Sequence, residues 1–126
     1  MTGIWTGTLN VVEGGSRNTC THSWNITTQN GGTFSGSSQN AGDASACAPI
    51  LRIGPGSVSG TVATDGVVSF GPIVRLESVC VRLSGGTYSG RVSGSSITAT
   101  TVETIRCTDM FGTYEFTQSL AVTLAR

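Results

Sequence analysis

The sequence predicts an all-β protein, a single antiparallel up-and-down β-barrel of about eight to ten strands, with a two-sheet β-sandwich as the alternative. Three observations predict it. Apolar and polar residues alternate along most of the chain, the period-two signature of strands that bury one face. The composition is rich in Gly, Ser, Thr and Val and contains no Lys, so no stretch has the Ala, Leu, Glu and Lys content that favours a helix. A five-residue phrase, Gly, any residue, a large apolar residue, Ser or Thr, Gly, occurs four times: Gly3-Ile4-Trp5-Thr6-Gly7, Gly32-Thr33-Phe34-Ser35-Gly36, Gly56-Ser57-Val58-Ser59-Gly60 and Gly86-Thr87-Tyr88-Ser89-Gly90. On a strand, the apolar residue and both glycines of each phrase share one face, and the hydroxyl residue lies on the other.

Taken in order, residues 3–12 form a first strand with Trp5, Leu9 and Val11 on one face. A turn at residues 13–18 leads to a second strand, 19–28, whose inner face carries Cys20, His22, Trp24 and Ile26. Gln29-Asn30-Gly31-Gly32 makes a hairpin connection to a third strand ending near Ser38, because Asn and Gly accept the positive φ of tight turns. From 39 to 55 the alternation is lost in the longest loop, which carries Cys47 as a tether and has room for a short strand at 50–53. Strands follow at 56–64 and 67–74 around Asp65-Gly66, with Pro72 marking an edge, a bulge or an end. Further strands are expected at 78–83, 87–93 and 95–101. The final strand, 113–125, alternates most cleanly, with Tyr114, Phe116, Gln118, Leu120, Val122 and Leu124 on one side. Nearly every connection is of hairpin length, which favours the barrel over a Greek-key sandwich.

A chain of 126 residues is sufficient for one domain, here 1–126. Its seven basic residues, all Arg, are balanced by seven scattered acids, so it has no basic face for a phosphate backbone and nucleic acid is not an expected partner. No window approaches the run of about twenty apolar residues that a membrane helix needs, and the polar outer faces argue against a membrane barrel. Met1 leads directly into the first strand, so either no signal peptide is used or one has been removed. Cys20, Cys47, Cys80 and Cys107 are even in number and widely spaced, and they contain no C-x-x-C pair, a pattern of disulfides in a secreted or periplasmic protein. The equal separations of Cys20 from Cys47 and of Cys80 from Cys107 favour one bridge in each half, with three pairings open in principle.

The Gly-x-Trp opening, with the later Gly-Thr-Phe-Ser-Gly and Gly-Thr-Tyr-Ser-Gly strands, resembles the avidin-like and lipocalin-like small-ligand barrels. The likeness spans about twenty residues of strand phrase, and the four cysteines and the loop around Cys47 depart from those families. What the resemblance implies is a barrel with one cavity mouth. No ligand-contacting residue is carried across.

His22 is the sole histidine, which excludes multi-His metal sites, and no phosphate loop, metal-ligand cluster or nucleophile elbow is present. No cofactor is expected. The residues placed to contact a ligand are Trp24, His22, Phe34, Tyr88, Phe116 and Gln118, with Gln118 and Tyr88 offering polar contacts that orient a bound molecule. Trp5 has the parity of a plug at a closed end. The glycines Gly7, Gly36, Gly60 and Gly90 admit two readings: they let strands bend at barrel corners, or their missing side chains leave a cavity. The expected function is the binding of a small, largely apolar molecule in the lumen. A structural or adhesive domain that assembles with copies of itself is the rival, and an enzyme acting by substrate enclosure is the third reading.

Overall fold

The computed structural model describes residues 1–41, 51–52, 54–73, 75–76 and 78–126. Eleven strands lie among them: β1 (Gly3–Glu13), β2 (Ser16–Asn30), β3 (Thr33–Ala41), β4 (Leu51–Arg52), β5 (Gly54–Val62), β6 (Val67–Phe70), β7 (Arg75–Leu76), β8 (Cys80–Gly85), β9 (Tyr88–Ser93), β10 (Ser96–Asp109) and β11 (Gly112–Ala125). No helix occurs among the described residues, so none is long and apolar enough to cross a membrane.

Eight of these strands close a barrel in the order β11-β1-β2-β3-β5-β6-β9-β10, with β10 pairing back onto β11. Closure rests on β11, which lies opposite β1 from Thr6–Ala125 to Val12–Ser119 and opposite β10 from Ser96–Ala125 to Asp109–Gly112. Apart from that closing pair, barrel strands neighbour one another in chain order, so the expected up-and-down barrel forms and the sandwich does not. β4 and β7 pair as a separate two-stranded ribbon.

β10 runs to Asp109, well past the expected end at residue 101, because Thr101 and Glu103 are polar residues at inward positions that mask the continuing alternation. Its upper half, with β8 and the first half of β11, projects beyond the rim set by the β1–β2 turn at residues 14–15. β8 and β9 follow β10 as one bent strand, broken at Gly85 and Gly86, whose φ values are 79° and 92°. A Cβ at Gly85 would lie 1.9 Å from the Val102 carbonyl oxygen, so the bend needs glycine on both counts.

The second glycine of each repeated phrase is explained by close approach. Gly7 lies opposite Leu124, Gly36 opposite Ile26, Gly60 opposite Phe70 and Gly90 opposite Ala99. A Cβ at Gly7, Gly36, Gly60 or Gly90 would fall 1.8, 2.0, 2.2 or 1.9 Å from the carbonyl oxygen of Thr123, Asn25, Ser69 or Thr98, respectively. Each glycine thus marks a place where strong coiling presses one strand onto the backbone of the next. The space each missing side chain would occupy is taken by the neighbouring strand's backbone, so these glycines do not themselves open a cavity.

Inside the barrel, Trp5, Leu9, Val11, Trp24, Ile26, Phe34, Val58, Val68, Phe70, Tyr88, Ile97, Ala99, Leu120, Val122 and Leu124 form one core. A second, smaller cluster of Cys80, Ile105 and Cys107, with Leu76 and Phe116 against it, underlies the projecting strands. Cys80 and Cys107 face each other across β8 and β10 and form a disulfide, which contributes about 3.5 kcal/mol on the chain-entropy account. Cys20 is also disulfide-bonded; its expected partner, Cys47, lies outside the described residues.

Candidate functional site

The interior is strongly asymmetric along the barrel axis. At the lower end, near the turns at 31–32 and 94–95, Trp5 plugs the barrel. Its indole N–H donates to the Met1 carbonyl at 2.7 Å, and the Arg126 guanidinium sits 4.8 Å from its ring centroid. Above it, Trp24 stacks on Phe34 at 6.2 Å and meets Phe70 edge-on at 4.8 Å, while Phe70 stacks on Tyr88 at 4.8 Å. Every buried polar side chain among the described residues lies higher, towards the end where β3 stops and β5 starts: His22, Ser38, Asn40, Thr101, Glu103 and Gln118.

Two polar groups occupy this upper half. In the first, the Trp24 indole N–H donates to His22 Nε2 at 2.8 Å, so Nε2 is unprotonated and Nδ1 carries the hydrogen that it donates to Asn40 Oδ1 at 2.5 Å. The imidazole is thereby held neutral as a single tautomer. Burial lowers its pKa below 6.5, and the Asn40 bond opposes that shift more weakly. Because the unfolded chain binds a proton at about pH 6.5 and the folded chain only at lower pH, stability is full above that value and falls as pH drops through it. Urea unfolding is expected to lose up to about 1.4 kcal/mol per pH unit below pH 6.5, and a His22→Gln variant should lack this component. Equal pH slopes in the two proteins would contradict the buried neutral imidazole.

The second group centres on Glu103, which is 2% exposed. Its Oε2 accepts from Arg82 Nε at 2.5 Å and its Oε1 accepts from Gln118 Nε2 at 2.9 Å. Only an amide nitrogen can donate to a carboxylate, so the Gln118 amide has one orientation and its Oε1 points elsewhere. That oxygen is fully buried and has no hydrogen-bond partner among the described residues. Thr101 Oγ1, on β10 two residues before Glu103, accepts from the Gly86 N–H at 3.3 Å. Burial, and next the Glu103 charge, push the Tyr88 phenol far above its ordinary pKa of 10.0, with Arg82 opposing. Tyr88 therefore stays a hydrogen-bond donor at every physiological pH.

The structure brings four of the six sequence-nominated residues together: His22, Trp24, Phe34 and Tyr88 form one continuous set through Phe70. Gln118 belongs to the Glu103 group above them. Phe116 stands apart, half-buried over the second cluster and stacked on Tyr114 at 6.1 Å. Glu103, Arg82, Asn40 and Phe70 escaped sequence reasoning. The signal for Glu103 was present: it shares the parity of Ile97, Ala99 and Ile105, and extending β10 by one more pair of residues would have placed it inside. Asn40 lay beyond the expected end of the third strand. Arg82 pairs with Glu103 only through the register of β8 on β10, which no local pattern encodes. No protein-family model, no curated protein and no solved structure matches this chain.

Proposed function

We propose that this chain is a secreted or periplasmic barrel that binds a small molecule with an apolar body and a hydrogen-bond donor at the polar end of its lumen. The observation that carries the reading is Gln118 Oε1, a buried acceptor without a partner among the described residues, next to an amide nitrogen and a carboxylate that are both engaged. An orphaned buried acceptor costs roughly 1–3 kcal/mol, and a ligand hydroxyl or N–H would recover it. Tyr88 and Phe70, buried and stacked on one another below it, are the aromatic floor against which the apolar body would pack. The closed eight-stranded meander is compatible with an avidin-like or lipocalin-like barrel, and the Cys80–Cys107 disulfide suits an oxidising compartment. A filled, purely structural barrel is the second reading, favoured by the dense aromatic packing from Trp5 to Tyr88.

Titration with a panel of apolar molecules bearing one hydroxyl or N–H, each matched to an analogue without it, separates the two. Donor-bearing members should quench Trp fluorescence, through Trp24, and raise the unfolding midpoint. Their analogues should bind roughly tenfold to a hundredfold more weakly, and Gln118→Leu should abolish that preference. A panel that neither quenches nor stabilises would leave the filled barrel standing.

A further inference from the structure

We propose that the outer face of the β10–β11 hairpin, above the barrel rim, is the surface through which two copies of this chain form a twofold dimer. The face is two columns of residues in register. Val102, Thr104, Arg106 and Thr108 on β10 lie directly opposite Ser119, Thr117, Glu115 and Thr113 on β11. Three of these four facing pairs are chemically matched: Thr104 and Thr117 share a hydrogen bond of 3.1 Å, as do Thr108 and Thr113, and Arg106 Nη2 donates to Glu115 Oε1 at 3.0 Å. The columns end in Met110 and Phe111, which are 90% and 91% exposed and have no cover among the described residues.

Such a face is its own complement about an axis that runs along the hairpin, midway between the strands. Rotation about that axis exchanges the columns, so every residue meets its own cross-strand partner from the second copy. Arg106 then lies over Glu115 of the second copy and Glu115 over its Arg106, while Met110 and Phe111 cover one another. An axis across the strands would set Arg106 on Arg106 and Glu115 on Glu115, so charge order selects the first arrangement. The face is also accessible. β1 stops pairing with β11 at Ser119, and the described residues provide no second strand beside the stretch from Gly112 to Gln118. A formal net charge of zero leaves no long-range repulsion between copies.

About a dozen residues a side is half of what a standard stable interface uses, so association at roughly 10–100 μM is expected. Sedimentation velocity from 5 to 500 μM tests it. The wild-type chain should shift from monomer to dimer over that range. Arg106→Glu and Glu115→Arg should each raise the dissociation constant about tenfold or more, and the double swap should restore it. Because both side chains are about half exposed, near-UV circular dichroism should show all three variants folded. Phe111→Ser should also weaken association. A mass independent of concentration, or single swaps that dimerise like the wild type, would overturn the proposal. So would a strictly monomeric chain that binds phosphatidylcholine–phosphatidylglycerol vesicles through Phe111, which would make the tip a lipid contact.

Discussion

Gly90→Ala is expected to lower the thermal midpoint by more than about 10 °C, the result of at least about 3 kcal/mol in a domain of this size. The added methyl would sit 1.9 Å from the Thr98 carbonyl oxygen and 2.5 Å from the Ala99 Cα. Both are backbone atoms in the β9–β10 ladder, so relief requires the strands to part and their hydrogen bonds to lengthen. Gly7→Ala, against Thr123 and Leu124, should behave alike. Gly15→Ala is the control. Nothing lies within 4 Å of its added Cβ and its φ is not positive, so it should be neutral or raise stability by about 0.4–1 kcal/mol through the unfolded state. Differential scanning calorimetry of the three variants decides the matter. A Gly90→Ala chain as stable as the Gly15→Ala chain would mean that the repeated glycines are not there for close approach.

The second large effect concerns the ion pair between buried Glu103 and half-buried Arg82. Glu103→Leu should cost roughly 3–5 kcal/mol, because it removes the acceptor of both Arg82 Nε and Gln118 Nε2 from a site where Glu103 itself is 2% exposed. Arg82→Met alone should also destabilise, by leaving a buried carboxylate with only the Gln118 amide. Replacing both at once removes the uncompensated charge, so the double variant should be more stable than the sum of the single losses predicts. A double-mutant cycle by urea denaturation measures that coupling, and additive losses would show that the two side chains do not act as a pair. If the upper lumen holds a ligand, the Glu103→Leu variant should lose affinity as well, since the Gln118 amide would no longer be held with its oxygen turned away from β10.

Parity along a strand is a local property, and within the barrel body it placed side chains correctly, whereas on the projecting half of β11 Tyr114, on the inward side by parity, is 46% exposed. His22, Trp24, Phe34, Tyr88 and Gln118 all read as inward from the sequence and are all buried. It failed where an inward position is polar. Thr101 and Glu103 look like the end of a strand because burying a carboxylate is unfavourable on its own, and Arg82, brought alongside from β8, together with the Gln118 amide makes that position tenable. The same limit applies to Gln118: its inward parity was legible, but its unpartnered oxygen depends on which way Glu103 turns the amide.

Residue types and their two-residue period determined, without any structure, that this chain is all-β, where most strands begin, and which face of each is buried. Tertiary structure alone decided that β1 and β11 meet to close the barrel, and that polar side chains gather at one end of it. It also decided that the recurring glycines are sites of backbone contact. The period-two pattern says nothing about how tightly a sheet coils, and coiling sets whether a missing Cβ leaves empty space or is filled by the neighbouring strand.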